Sequence, residues 1–103
     1  MHLESLKGQT AVVTGAGRGI GRYCALALAK EGVNIVATAR TESELKSLVK
    51  ECKKLGVKAI AVPADASQEA DVKRLKEAAL KAFKQVDILV NNAGVGKYST
   101  TNR

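Results

Sequence analysis

Short apolar runs alternate along the chain with stretches in which apolar residues return every three or four positions. The run from Thr10 to Thr14 has no polar interruption, as expected of a parallel strand covered on both faces. A helix is predicted from Gly19 to Lys30, with Ile20, Cys24, Ala27 and Leu28 facing the sheet and Gly32 ending it. Val33 to Ala39 reads as a second strand. Thr41 with Glu44 three residues later has the pattern of a capping box, and Leu45, Leu48, Val49, Cys52 and Leu55 supply the buried stripe of a second helix that stops at Gly56. The third strand spans Lys58 to Val62 and is ended by Pro63, which cannot donate to a ladder. Ser67 is the expected cap of a third helix, with Glu69 and Asp71 in its first turn and Val72, Leu75, Ala79, Ala82 and Phe83 on its apolar face. Val86 to Val90 is the fourth strand, and no period is visible from Val95 to Arg103.

Strands joined by helices through right-handed crossovers predict an α/β fold, a doubly wound Rossmann-type parallel sheet of four strands in the order 3-2-1-4 with three helices. With 103 residues and 46% apolar composition the chain suits one small domain with a core of its own. No apolar run approaches the roughly 20 residues that span a bilayer, and Lys7 and Gln9 interrupt the start too early for a secretory signal. The expectation is a soluble cytoplasmic protein with no membrane partner. The net charge of +7 raises the question of nucleic acid, but the lysines lie on the polar sides of two helices among glutamates, and 3% aromatic residues leave almost no stacking platform. No nucleic-acid partner is therefore expected. Cys24 and Cys52 fall on apolar helix positions without the spacing of a metal site, and His2 has no partner, so no metal is expected.

Between the first strand and first helix lies Thr14-Gly15-Ala16-Gly17-Arg18-Gly19-Ile20-Gly21. A strand that breaks into a glycine-rich turn and opens a helix aims several backbone N–H groups, and the positive end of the helix dipole, at one spot. Phosphate suits that spot. One glycine permits the sharp turn, one lets a pyrophosphate approach the backbone, and one lets helix and strand pack closely. Arg40 follows the second strand, Asp65 the third, and Asn91-Asn92-Ala93-Gly94 the fourth.

In order and spacing these features resemble the N-terminal, cofactor-binding part of the short-chain dehydrogenases/reductases, with Thr-Gly-x-x-x-Gly-x-Gly and Asn-Asn-Ala-Gly carrying the likeness over nearly the whole chain. The resemblance implies that Gly15, Gly19 and Gly21 form the pyrophosphate turn, with the Ile20 N–H near the phosphates and Gly17 among the cofactor-binding residues. It implies that Asp65 meets the adenine amino group and Ala66 its ring. Asn91 would steady the sheet and approach a cofactor ribose, with Ala93 and Gly94 lining the cofactor's path. On the residues alone, Asp65 reads equally as part of a helix-capping turn, and Asn91 and Asn92 as turn formers.

An acidic residue after the second strand would bond the ribose hydroxyls of NAD and repel a 2′-phosphate. Ala39-Arg40 stands there, and Arg40 with Arg18 can fork onto that phosphate, which predicts NADP(H) over NAD(H). The alternative is that both arginines are solvated surface charges. The family's chemistry uses a serine, a tyrosine and a lysine four residues after that tyrosine, but Tyr23 is followed at that distance by Ala27 and Tyr98 by Asn102. The expectation is a partial domain, inactive alone, belonging to an enzyme that acts on a small carbonyl or alcohol substrate. That enzyme resembles 3-oxoacyl-carrier-protein reductases or small carbonyl reductases and would be a homo-oligomer when complete. The alternative is a nucleotide-binding or regulatory module completed by another chain.

Overall fold

Alternation along each strand divides the apolar residues between two layers. The computed structural model describes residues 6–65 and 67–92. Four strands, β1 (Thr10–Thr14), β2 (Asn34–Ala39), β3 (Ala59–Pro63) and β4 (Ile88–Val90), are linked by α1 (Gly19–Lys30), α2 (Glu42–Lys54) and α3 (Glu69–Phe83). All pairings are parallel and the order is β3-β2-β1-β4, as the sequence predicts. Ala11, Val13, Ile35 and Ala37 face α1 and α2, where they pack with Ala25, Ala29, Leu45, Leu48 and Cys52. Val12, Val36 and Val62 point the other way, onto Leu75 and Ala79 of α3.

The face of α1 differs from the sequence expectation by one residue. Gly21, Ala25 and Ala29 are buried, whereas Ile20 is 71% exposed and Ala27 lies on the surface. Two stripes one residue apart have the same i, i+4, i+8 spacing, so periodicity does not choose between them. Size does: only the stripe of small residues lets α1 settle on β1, while Cys24, Leu26 and Leu28 flank it half-buried.

Other boundaries shift for local reasons. Thr41 is the N-cap of α2 but its side chain makes no capping bond, and Leu55 is an exposed residue just past the helix. Gln68, not Ser67, is the N-cap of α3, because the Ser67 amide and hydroxyl both donate to Asp65. On α3 itself, Val72 and Ala82 lie on the surface. Pro63 belongs to β3, an edge strand where its missing N–H leaves no ladder bond unmade, and the next amide, of Ala64, donates to Ala39 O at 3.0 Å. Pairing of β4 begins only at Ile88, after the Asp87 amide donates to Thr10 O and the Asp87 carboxylate accepts from the Thr10 amide, each at 2.9 Å.

Both cysteines are free, Cys24 half-buried and Cys52 buried. Burial pushes the Cys52 thiol up to about 11, opposed by the charge of Arg22, so it stays protonated as a core side chain. Among the described residues no helix is long and apolar enough to cross a membrane, and no cluster of metal-ligating side chains occurs.

Candidate functional site

Parallel strands deliver all their following loops to one end of the sheet. Strand order reverses between β1 and β4, because α1 and α2 cover one face and α3 the other, and the crevice at that reversal is where open α/β sheets bind ligands. The turn after β1 enters it, flanked by Arg40 after β2, Asp65 after β3 and Asn91 and Asn92 after β4.

The turn is built from alternating constraints. Gly15 leaves β1 with φ 60°, Ala16 tucks into the core and donates its amide to Thr38 O at 3.1 Å, and Gly19 opens α1 with φ 63°. Both positive φ values suit glycine. At Gly19 no protein atom stands within 4 Å of the place a Cβ would take, so its dihedral rather than its packing calls for glycine there. At Gly21 packing decides: a Cβ would run into the Gly15 carbonyl oxygen and stand 2.9 Å from Asn92 Nδ2. A Cβ at Gly17 would run into Glu44 Oε1.

The first turn of α1 contains no acidic residue and its N-cap, Arg18, supplies no side-chain bond. Glu42 and Glu44 occupy the first turn of α2, and Glu69 and Asp71 that of α3. The N–H groups of Gly19, Ile20 and Gly21 precede the first i→i−4 bond, from the Arg22 amide to Arg18 O, and are left for an anion.

Thr14 joins the two sides of the crevice. Its hydroxyl accepts from the Asn92 amide at 2.7 Å and stands 3.1 Å from Asn91 Oδ1 and 3.3 Å from Val90 O, to either of which it can donate. Arg18, with its side chain 87% exposed, lies 3.8 Å from Glu44 through Nε, while the charge of Arg40 acts on Asp65. The two arginines thus engage different neighbours.

Asp65 forms a tight turn. Its Oδ1 accepts from the Ser67 hydroxyl at 2.6 Å and the Ser67 amide at 2.9 Å, and its own amide donates to Asp71 Oδ2 at 2.8 Å. The Ser67 hydroxyl and then the Ser67 amide hold the carboxyl below the usual aspartate range, against a smaller opposing effect of burial, and Arg40 adds the least to the lowering. Because the folded value is the lower one, the turn contributes above the ordinary 3.8 and is lost as pH falls through the lowered value. In Ser67→Ala the Asp65 titration should move back up toward 3.8, read by carboxyl ¹³C NMR; an unmoved titration would assign the shift to another group.

Of the residues expected to bind cofactor, Gly15, Gly17, Arg18, Gly19, Ile20, Gly21, Arg40, Asp65 and Asn91 are brought to this end of the sheet. Ala66, Ala93 and Gly94, like Lys97, Tyr98 and Ser99, lie outside the described residues. Sequence reasoning missed Thr14 as the link between β1 and the segment after β4, and Glu44 as a neighbour of the glycine turn. Glu44 had a local explanation in the capping pattern, which masked its longer reach.

The family model described as short chain dehydrogenase matches residues 9–103. The chain is 46% identical over 90 residues to an L-rhamnose 1-dehydrogenase (NADP(+)) of Thermoplasma acidophilum, covering 86% of this chain and 35% of that protein. Among solved structures, a 3-ketoacyl-ACP reductase from Sinorhizobium meliloti 1021 is similar with a TM-score of 0.80 and 42% identity, over 84% of this chain and 34% of that one. A short chain dehydrogenase/reductase from Burkholderia phymatum in complex with NAD has a TM-score of 0.79 and 38% identity, over 82% and 30% of the two chains. The chain spans between 28% and 40% of the length of the curated relatives it matches.

Proposed function

Because the chain belongs to the short chain dehydrogenase family, we propose that it forms the NADP(H)-binding portion of an oxidoreductase that moves hydride between NADP(H) and a carbonyl or alcohol substrate. The observation that carries the reading is the glycine turn with its acid-free helix start at the strand-order reversal, beside Arg40 in place of an acidic residue.

In this reading the amides at Gly19, Ile20 and Gly21 hold the pyrophosphate. Arg40 and Arg18 meet the 2′-phosphate through charge-assisted hydrogen bonds. Asp65, kept ionised by its turn, accepts from the adenine amino group, with Ala66 against the ring. Asn91, oriented by Thr14, approaches a ribose, and Ala93 and Gly94 line the way to the nicotinamide. The bound cofactor supplies or accepts the hydride; this chain's residues hold it and supply none of the proton transfer, because no tyrosine here is followed four residues on by lysine. The serine and the tyrosine–lysine pair would come from a further segment. Among the described residues β4 is an edge strand, which suits a strand added there, and Leu89 on its face is 61% exposed, which suits a further covering layer. The same edge suits the second reading, a non-enzymatic nucleotide-binding module whose fourth strand is covered by another chain. A 3-oxoacyl-carrier-protein or small sugar or carbonyl substrate follows the names of the relatives, and a cytoplasmic homo-oligomer is the assembly we favour.

The test is cofactor choice. Calorimetric titration should find NADPH bound at least tenfold more tightly than NADH. Arg40→Ala should weaken NADPH by about tenfold or more, the loss of a hydrogen bond to a charged group at about 1.5–3 kcal/mol, and leave NADH unchanged. Equal affinities in the wild type, unaltered by the substitution, would refute the NADP(H) assignment.

A further inference from the structure

Glu44 sits where the glycine turn and α2 meet. Its side chain lies directly on the backbone of Gly17, with Cβ 3.0 Å from the place a Cβ of residue 17 would take, and it is only one-third exposed. Oε2 is 3.8 Å from Nε of Arg18, whose side chain is almost wholly in solvent. The carboxylate is therefore the fixed member of the pair and the guanidinium the movable one. The N-cap of α2, Thr41, makes no side-chain capping bond, so no reciprocal capping box ties Glu44 to it. Among the described residues it is the acid that ion-pairs with Arg18.

We propose that Glu44 is a specificity-determining residue that restrains the preference for NADPH over NADH. The proposal rests on the reading of Arg18 and Arg40 as the site of the 2′-phosphate. That phosphate carries nearly two negative charges at neutral pH. To meet it Arg18 must leave Glu44, and the carboxylate left beside the turn repels the incoming phosphate. NADH brings an uncharged hydroxyl to the same place and takes no such penalty. The pair is open to water, so the effect is modest: about two- to fivefold in affinity, the range of exposed ion pairs. It acts through Arg18 and disappears when Arg18 is removed.

The experiment is a double-mutant cycle, in which calorimetry gives Kd for NADPH and NADH with the wild type, Glu44→Gln, Arg18→Ala and the double variant. Glutamine keeps the shape and helix propensity of position 44, and unchanged melting of the cofactor-free protein checks the fold. Glu44→Gln should tighten NADPH by about two- to fivefold and leave NADH alone, and in the Arg18→Ala background it should do much less. A wild type that prefers NADPH but is unmoved by Glu44→Gln, or one in which both dinucleotides tighten equally, overturns the role of Glu44 and leaves the NADP(H) reading standing. A wild type with no preference, unaltered by Arg40→Ala, overturns both. Should Glu44→Gln fail to fold, Glu44→Ala is read in the same cycle against the same outcomes.

Discussion

Gly21→Ala is expected to destabilise the fold by about 3 kcal/mol and to abolish cofactor binding, although it replaces glycine by the best helix former inside a helix. Propensity alone predicts a gain of roughly 1 kcal/mol. Packing reverses the sign. The new methyl would collide with the carbonyl oxygen of Gly15 and lie 2.8 Å from its carbon and 2.9 Å from Asn92 Nδ2. Two of those three atoms are backbone and cannot rotate away. The carbonyl belongs to a residue at φ 60° whose neighbour, Ala16, is tied to Thr38, so shifting it disturbs the whole turn. The other escape is for α1 to lift off β1, which uncovers Ala25 and Ala29, now at 0% and 1% exposure. Overpacking in a fixed core costs about 1–3 kcal/mol or more, and here it falls on the turn proposed to hold the pyrophosphate. Urea denaturation and calorimetry with NADPH read the two effects. A variant as stable as the wild type, with intact binding, would show that the approach of helix and strand is looser than the structure has it.

That contact explains what the sequence could and could not disclose. The glycines announce a turn, and β1 and α1 begin and end at the expected residues because a buried run and a glycine stop are local signals. The strand order follows from alternating elements and the handedness of their crossovers. The face of α1 does not follow, since stripes through Ile20 and Gly21 have equal periodicity, and the choice depends on what the helix touches. Ser67 shows the same limit: its side chain is a good cap on paper, but Asp65 two residues earlier takes both of its donors. Glu44 is the clearest case at the site. A capping box gives it a partner three residues away in sequence, whereas the structure gives it Gly17 and Arg18 of the glycine turn. Local grammar found the elements; contacts between residues far apart in sequence decided which side chains face the site.

Thr14→Val tests the longest of those contacts. Valine keeps the shape and the β-propensity of threonine, so the strand itself should be untouched, but the Asn92 amide loses its acceptor and Asn91 Oδ1 or Val90 O loses a donor. An unsatisfied, partly buried amide costs about 1–3 kcal/mol, and a loss near 2 kcal/mol is expected in urea denaturation. The ladder between β1 and β4 ends at Val13 and Val90, so the hydroxyl carries that pairing one residue further, into the segment proposed to meet the ribose. Releasing it should weaken NADPH and NADH to the same degree, unlike Arg40→Ala, which separates them. Faster hydrogen exchange at the Asn92 amide would locate the change, and Thr14→Ser, which retains the hydroxyl, should restore both stability and binding. A valine variant within 0.5 kcal/mol of the wild type, with Asn92 still protected, would mean that the segment after β4 is held by its own turn, and Thr14 would then have no part in orienting Asn91.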